Sequence, residues 1–365
     1  MTPGNRSRRD LLAAVAAFPA ISRAQARKQL PAPPRKQSPG ERVRFLDPGT
    51  EAELFRVTDP KNGASRLAPP HHVTFSRRSN FLLFASDRGG SWQAWALDMK
   101  SWIPRVLTTS AKPVDPRSLT LTVDERGVLY SDGEAVWMQL TGGRPRQLHK
   151  FADKPGPGIG VAPEGAALVG DGNKLVSVNF LRAAATTVAE TEGPVEDPMH
   201  RPKRASAAYR SGGALWLAHL DGQRNAKLKT APGGVVMQSA WAPDGRTILY
   251  LFKPDVMGQA HSIREIDPDS GEDTLIAKTS QFGSFGWNSD ATAFVGASVS
   301  KAGPFLLLLV RKVKRELVLC EHASSSPLTA WPVFSPDSQL VFFESDRHGK
   351  PSLYMMEVRK LVEKT

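Results

Sequence analysis

The stretch "FSPDSQLVFFESDRHGKPSLYMMEV" (Phe334–Val358) contains two strand-like runs, each preceded by a turn. In the first turn Pro fixes φ and Asp tolerates the turn backbone, so Ser-Pro-Asp-Ser predicts a tight reversal of the chain. The run "LVFFES" that follows is rich in residues that favour strands. After the polar turn "SDRHG", the run "SLYMMEV" alternates with a period of two, as a half-buried strand does. The stretch therefore predicts a pair of antiparallel strands.

The same pattern recurs along the chain and defines a repeat. Its clearest other copies are Phe75–Met99, Trp241–Phe252 and Trp287–Ser298, and weaker copies are Leu121–Leu140, Val161–Val178 and Ala207–Thr230. Four short antiparallel strands in roughly 35–45 residues are typical of a propeller blade. Seven such units begin near His71, Val114, Gly158, Ala205, Met237, Gln281 and Ala330. We therefore predict an all-β chain that forms a seven-bladed β-propeller of four-stranded antiparallel blades.

The propeller is predicted to occupy residues 51–365 and to close through its first strand. A single blade cannot bury both faces of its sheet, whereas a ring of blades can, and a ring leaves no long open edge. The strand-like segment Ala52–Asp59 precedes the first blade. We expect this segment to pair with the last blade.

The N-terminal residues have the composition of an export signal. A basic start is followed by an apolar run, Leu11–Ile21, and by small residues at Ala24 and Ala26, which is the three-part form of a secretory signal. Arg8-Arg9 resembles the twin-arginine motif. We predict an export signal over 1–26, a Pro-rich basic tether over 27–50 and a periplasmic or secreted protein; a frayed basic N-terminus is the alternative.

The net charge of +12 does not predict a nucleic-acid-binding protein. Residues 1–26 carry a net charge of +3 and residues 27–46 carry +5, which leaves +4 for the predicted propeller. Nucleic-acid binding needs a basic stripe on the folded face. Cys320 is the sole cysteine, so no intramolecular disulfide forms. After the leader, no apolar run is long enough for an integral membrane segment.

Two sets of motifs resemble known families. The Phe-Ser-Pro-Asp and Ser-Asp-Arg-x-Gly turns resemble the propeller repeats of TolB-type proteins. More narrowly, "FRVTDPKNGASRLAPP" (Phe55–Pro70) and "LVLCEHASS" (Leu317–Ser325) resemble the oligogalacturonate lyase family. That resemblance implies a seven-bladed propeller that cleaves short pectin fragments by β-elimination. It also implies a Mn-type divalent metal and a histidine base.

The sequence departs from this family where the resemblance places the metal ligands. Gln238, in "MQSAW", stands where the family has a histidine, and Thr329 and Trp331 stand where it has two more. Ser326 replaces a Gln. Imidazole nitrogens suit a transition-metal dication, whereas a Thr hydroxyl is a poor ligand and an indole is none. The resemblance with these departures implies that the Mn²⁺ site is lost and that no cofactor is used.

Four further histidines are candidate site residues. His200 is the nearest candidate for the family's base, and His322, in the junction that resembles the family, is a second weak catalytic candidate. His71 and His72 are candidate ligand-binding residues, together with Gln238, Thr329 and Trp331. Adjacent strand residues point to opposite faces, so His71 and His72 are poorly placed to chelate one metal; a polar loop before a strand is the plainer interpretation.

Arginines in the predicted turns have a structural interpretation. Arg88 and Arg347 each follow an aspartate in the same turn, Asp87 and Asp346. Arginine suits carboxylate recognition through its planar guanidinium. We expect each arginine to pair with the aspartate of its own turn.

Three hypotheses of function follow. The first is an exported, non-catalytic propeller that binds an acidic oligosaccharide or an envelope protein. The second is a polysaccharide lyase with a rearranged site, in which His71, His72, His200 or His322 acts with arginines. The third is a TolB-like scaffold for protein interactions. A fold alone does not decide among them.

Overall fold

The computed structural model describes residues 40–361 of the chain, and it confirms the predicted fold class. The described strands form seven antiparallel sheets, six with four strands and one with five. The export signal predicted over 1–26 and residues 27–39 of the predicted tether lie outside the described residues. None of the helices in 40–361 is long and apolar enough to cross a membrane.

The first two strands are β1 (Val43–Leu46) and β2 (Glu53–Arg56). Blade one contains β3 (Ser65–Arg66), β4 (Phe81–Ser86), β5 (Gln93–Asp98) and β6 (Pro104–Val106). Blade two contains β7 (Thr120–Leu121), β8 (Gly127–Ser131), β9 (Ala135–Leu140) and β10 (Arg146–Lys150). Blade three contains β11 (Pro155–Ala162), β12 (Ala166–Asp171), β13 (Lys174–Asn179) and β14 (Ala185–Glu190).

Blade four contains β15 (Glu196–His200), β16 (Ser206–Ser211), β17 (Ala214–His219) and β18 (Asn225–Lys227). Blade five contains β19 (Gly234–Trp241), β20 (Ile248–Pro254), β21 (Ser262–Ile266) and β22 (Asp273–Lys278). Blade six contains β23 (Phe282–Trp287), β24 (Ala293–Ser298), β25 (Phe305–Val310) and β26 (Arg315–Glu321). Blade seven contains β27 (Val333–Phe334), β28 (Leu340–Ser345) and β29 (Ser352–Glu357), joined by β2 and β1.

Blade seven closes the ring as predicted. The N-terminal strand β2 pairs antiparallel with the C-terminal strand β29, with Phe55 opposite Met355. An additional strand, β1, then pairs with β2, with Val43 opposite Arg56. Residues 43–46 lie in the segment predicted to be a tether, so the sheet begins before the predicted boundary at residue 51.

Two buried ion pairs hold the N-terminal segment to the ring, and they differ from the expected turn pairs. Arg88 Nη1 lies 2.8 Å from Glu41 Oε1, and Arg347 Nη1 lies 3.0 Å from Asp47 Oδ1. The expectation that each arginine pairs with the aspartate of its own turn was wrong. Those turn aspartates instead accept backbone hydrogen bonds from other loops, and such local bonding competes with ion pairing.

The core consists of apolar layers between neighbouring blades, because both faces of each sheet are covered. For example, Phe84 and Leu97 of blade one pack with Phe342 and Leu353 of blade seven. Between the strands, short 3₁₀ helices occur at Pro60–Asn62, Pro116–Ser118, Pro327–Thr329 and Arg359–Leu361. The helices Pro116–Ser118 and Pro327–Thr329 immediately precede the inner strands of blades two and seven, so they contribute residues to one end of the central channel.

Candidate functional site

One end of the central channel contains a cavity of about 460 Å³, which we call the axial cavity. Its lining residues come from six of the seven blades, all but the third, and only a cavity on the ring axis can touch that many. Ligand sites in many folds are concave, with a few convergent polar groups. The axial cavity is therefore the candidate site.

His71 and His72 are adjacent in the chain but have different environments. His71 lines the axial cavity, whereas His72 lines a separate cavity of about 220 Å³. The His72 ring bonds the backbone on both sides, with Nδ1 2.8 Å from the Leu119 carbonyl and Nε2 3.3 Å from the Ile159 N–H. Nδ1 therefore carries the proton and Nε2 accepts. His72 is a structural residue that connects three blades.

The His71 imidazole is buried without a hydrogen-bond partner. Its side chain is 3% exposed, and within the described residues neither ring nitrogen has a partner. Burial lowers the pKa of His71 because desolvation disfavours the charged ring, and the nearby Asp197 carboxylate only partly opposes this. His71 is thus a neutral imidazole with one donor and one acceptor unsatisfied, a costly arrangement unless another molecule supplies the partners.

Asp197 faces His71 at the wall of the axial cavity. Its Oδ1 lies 3.7 Å from His71 Nε2 and has no hydrogen-bond partner in the described part of the chain. Its Oδ2 accepts from Arg210 Nη2 at 2.5 Å. Burial alone would raise the pKa of Asp197, but His71, the Arg210 guanidinium and His72 together outweigh it, so the pKa is lowered and the carboxylate stays charged.

The backbone around Asp197 is strained and closely packed. Asp197 has a φ of +46°, a left-handed conformation that is uncommon for a non-glycine residue. Gly158 of blade three, at φ +83°, lies against it, and a Cβ there would come within 2.8 Å of Asp197 Oδ1. Strained backbone of this kind clusters at functional sites. Gly158 is therefore required for the position of the Asp197 carboxylate.

Further charged residues extend the site to one side. Arg210 Nη2 also lies 3.1 Å from Glu196 Oε2. Arg117 lines the axial cavity, is exposed and forms no ion pair with any residue in 40–361. A second cavity of about 410 Å³ shares Arg117 and Glu196 with the axial cavity and adds Lys154. The two cavities adjoin, which makes room for an elongated ligand.

The three residues that the resemblance places at metal-ligand positions all line the axial cavity, but two of them are hydrogen-bonded within the fold and the third is an indole. The Gln238 amide bonds the backbone of Phe285 twice, at 2.7 and 3.0 Å. The Thr329 hydroxyl donates to Ser326. Trp331 is 8% exposed and packs in the core between blades seven and one.

This donor set does not fit a manganese ion. Mn²⁺ takes carboxylate, carbonyl, water and imidazole ligands, and here the amide is used by the backbone and the indole has no lone pair to give. Within residues 40–361, no three His, Cys, Asp or Glu side chains lie close enough together to hold a metal.

The two weak catalytic candidates lie away from the axial cavity. His200 is at the far end of β15, buried, with Nε2 3.6 Å from Glu164 Oε2. His322 accepts the Ser324 N–H at Nδ1 and has Nε2 2.9 Å from the Ser298 carbonyl. The structure thus brings together His71, Gln238, Thr329 and Trp331, but not His72, His200 or His322.

Sequence reasoning missed Asp197, Arg210 and Arg117. Asp197 occurs in "VEDPMH", where two acidic residues precede a Pro at the start of a strand. A buried acid in a strand needs a cationic partner, and Arg210 is on the neighbouring strand β16. Arg117 carries no such signal, because the turn "DPRS" is ordinary.

The comparisons with known proteins agree with the fold. No protein-family model matches the chain. An oligogalacturonide lyase of Pectobacterium atrosepticum is 27% identical over 217 residues, which are 51% of this chain and 55% of that protein. The match therefore spans about half the length of this curated relative.

Solved structures cover more of the chain. A structure of oligogalacturonate lyase in complex with manganese has a TM-score of 0.80 and 20% identity, and the match covers 90% of this chain and 99% of that one. A crystal structure of oligogalacturonate lyase from Vibrio parahaemolyticus has a TM-score of 0.78 and 19% identity over 88% of this chain and 99% of that one. The chain thus has the seven-bladed propeller fold of oligogalacturonate lyases, and it resembles them in sequence over about half its length.

Proposed function

We propose that this protein binds an acidic saccharide in the axial cavity and does not cleave it. The observation that carries the proposal is the pair of buried, unpartnered polar groups on the cavity wall, the His71 imidazole and Asp197 Oδ1. Buried polar groups in folded proteins almost always have a partner. A ligand hydroxyl provides both missing functions, since it accepts from an imidazole N–H and donates to a carboxylate.

The remaining lining favours a sugar acid over a neutral metabolite. Arg117 forms no ion pair within residues 40–361, and a guanidinium recognises a carboxylate through two parallel hydrogen bonds. Trp331 and Leu328 supply apolar surface for the face of a pyranose ring. The adjoining cavity with Lys154 gives space and a second cation for the next residue of an oligosaccharide.

Binding without cleavage follows from the donor set. The family's reaction depends on a divalent metal, and the side chains at the matching positions do not fit one. We infer that the scaffold was retained for recognition while the metal chemistry was lost. The export signal predicted over residues 1–26 supports our proposal that this recognition takes place in the periplasm or outside the cell.

Calorimetric titration of the full chain with trigalacturonate, with and without Mn²⁺, tests the proposal. We expect saturable binding in both conditions, with no unsaturated product by ultraviolet absorbance. The variant His71→Phe should bind up to about tenfold more weakly, since a lost hydrogen bond to a hydroxyl is worth about 0.5–1.5 kcal/mol. The exposed His219→Phe is the matched control. Turnover, or absence of binding heat, would contradict the proposal, and the latter outcome would favour a protein partner.

A metal-independent lyase is the second candidate. It is favoured by one observation, that His71 is a neutral imidazole close to charged groups in the cavity, as a proton-accepting base would be. Of the four histidines considered, His71 alone lines the axial cavity, and this is why we place binding first. Product formation that persists in the presence of a chelator and is abolished in His71→Phe would establish the second candidate.

A further inference from the structure

The four tyrosines of the chain occupy comparable buried positions, but the hydrogen bonding of one hydroxyl differs from that of the other three. All four are fully buried in their blades. Three hydroxyls have a side-chain partner: Tyr209 with Asn225 at 2.7 Å, Tyr250 with Asp273 at 2.8 Å and Tyr354 with His348 at 2.6 Å. The Tyr130 hydroxyl forms no hydrogen bond of normal geometry among residues 40–361, although the Ser110 side chain lies near it.

Strand register explains how two of these partners are placed. In blade four, Tyr209 is opposite Trp216, which is opposite Lys227, and Asn225 lies two residues before Lys227 on β18. The same relation holds in blade five. Tyr250 is opposite Arg264, which is opposite Leu275, and Asp273 lies two residues before Leu275 on β22. The residue that satisfies the tyrosine is therefore set by its place in the outer strand.

In blade two this place is occupied by a residue whose side chain cannot bond the hydroxyl. Tyr130 is opposite Trp137, which is opposite Gln147. Two residues before Gln147 is Pro145, which has neither a polar side chain nor an N–H. The blade thus has the tyrosine of the repeat but not its partner.

The space beside Tyr130 is open and is lined for a ligand. A cavity of about 560 Å³, which we call the lateral cavity, is lined by Tyr130, Pro145 and Trp137, among other residues. Trp137 is partly exposed, and its Nε1 donates to Asp132 Oδ2 at 2.9 Å, which fixes the indole plane. A fixed, partly exposed indole is a stacking surface for the apolar face of a sugar ring.

The charges at this cavity are unbalanced. Lys112 pairs with Glu134 at 2.5 Å, so these two charges cancel. Arg144 and Lys150 also line the cavity, and in the described part of the chain neither forms an ion pair. Asp132 is the remaining anion of the lining, so Arg144 and Lys150 leave one positive charge in excess, which beside a stacking surface favours a ligand that carries a carboxylate.

We propose that the lateral cavity is a second binding site for an acidic saccharide. The indole of Trp137 contacts the sugar ring, Arg144 and Lys150 bind its carboxylate, and a sugar hydroxyl bonds the Tyr130 hydroxyl. The choice of ligand class rests in part on the function proposed for the axial cavity, but the lining of the lateral cavity supports it independently. A protein with two such sites, one on the axis and one on the side of blade two, binds a long polysaccharide at two points, which raises its overall affinity.

Fluorine NMR of the full chain labelled with 5-fluorotryptophan separates the two sites, since Trp331 reports on the axial cavity and Trp137 on the lateral cavity. Trp331→Phe and Trp137→Phe assign the two resonances. On titration with trigalacturonate, we expect both to shift. A shift at Trp331 alone would overturn the second site and leave the proposed function intact, whereas a shift at Trp137 alone would do the reverse.

Two variants define the chemistry of the lateral cavity. The double variant Arg144→Gln, Lys150→Gln should raise the Kd measured from the Trp137 resonance about tenfold and leave the Kd measured from the Trp331 resonance unchanged. Tyr130→Phe should raise the Kd measured from the Trp137 resonance about threefold. Tyr209→Phe, in a blade where the hydroxyl is already bonded, should leave that Kd unchanged. An equal response of Trp137 to neutral maltotriose, or an unchanged titration in both blade-two variants, would overturn the proposal. A change in Arg144→Gln, Lys150→Gln but not in Tyr130→Phe would overturn the role of the Tyr130 hydroxyl, as expected if that hydroxyl bonds only buried water.

Discussion

Buried charged groups occur both in the axial cavity and at the seam, which is the region where β1 and β2 join blade seven and close the ring. The hydrogen bonding of these charged groups differs between the two regions. At the seam, every oxygen of the Asp47 and Glu41 carboxylates accepts a hydrogen bond from an arginine, the backbone or a neighbouring side chain. In the axial cavity, Asp197 Oδ1 and both ring nitrogens of His71 form no hydrogen bond with any group in residues 40–361.

This difference separates structural from functional polar groups. The fold satisfies these two seam carboxylates completely, whereas on the axis it leaves His71 and Asp197 Oδ1 without partners in the described residues. The unsatisfied groups have a stability cost, and the cost is explained if a ligand completes them. The comparison therefore predicts that substitutions at the seam destabilise the fold, and that substitutions in the cavity change binding.

The largest effect is expected at the seam. Asp47→Ala leaves the Arg347 guanidinium buried without its anion, and removal of one partner of such a pair costs about 3–5 kcal/mol. Denaturant unfolding of the full chain measures this loss. Glu53→Gln, which removes an exposed ion pair with Arg44, is the control and should cost less than about 1 kcal/mol. Equal losses in the two variants would show that the seam does not hold the ring.

The adjacent histidines give a matched test of the comparison. His72→Phe breaks two bonds to the backbone, at Leu119 and Ile159, and should lower the free energy of unfolding by about 2 kcal/mol. His71→Phe breaks none and removes two unsatisfied ring nitrogens, so it should leave the free energy of unfolding unchanged or raise it. A large loss of stability in His71→Phe would mean that His71 is structural, and the two environments would not differ as described.

The stability of the His72 variant should also depend on pH. Burial lowers the pKa of His72 to about 3, against 6.5 for the unperturbed group. Between these values the unfolded chain binds a proton that the folded chain does not, so the fold loses about 1.4 kcal/mol per pH unit as the pH falls below 6.5. His72→Phe lacks this loss. The difference in unfolding free energy between wild type and variant should therefore shrink by about 1.6 kcal/mol between pH 6.5 and pH 5; a constant difference would contradict the assignment of a neutral, buried His72.

The smallest effect is expected for the tyrosine hydroxyls. Tyr209→Phe removes a bonded hydroxyl and leaves Asn225 without its donor, which should cost about 1 kcal/mol. Tyr130→Phe removes a hydroxyl that forms no hydrogen bond of normal geometry in the described residues and should not lower stability. Thermal unfolding of the two variants measures the difference, and a cost for Tyr130→Phe equal to that for Tyr209→Phe would remove the distinction between the blades.

The repeat was predictable because its signals are local. Each blade has turn residues at fixed positions and strands with a period of two, and closure by Ala52–Asp59 followed from the need to cover a sheet edge. The strand β1 was not predictable in this way. Its segment is basic and Pro-rich like a tether, and it is held by Glu41 and Asp47 through contacts with residues 47 and 300 positions away in the chain.

The candidate site was predictable in part. Gln238, Thr329 and Trp331 came from the family resemblance, and the structure places all three at the axial cavity. Asp197 and Arg210 were missed because their meaning depends on burial and on the neighbouring strand, neither of which is visible in a local motif. His71 and His72 were indistinguishable in the sequence, since only the backbone groups around His72 separate their roles.

A crystal structure of the full chain soaked with trigalacturonate and Mn²⁺ tests the central claim most directly. We predict an intact saccharide in the axial cavity, with a hydroxyl between His71 and Asp197, a carboxylate at Arg117 and no metal at Gln238, Thr329 and Trp331. A cleaved, unsaturated product or a manganese ion on the axis would contradict the claim, as would an axial cavity that remains free of sugar.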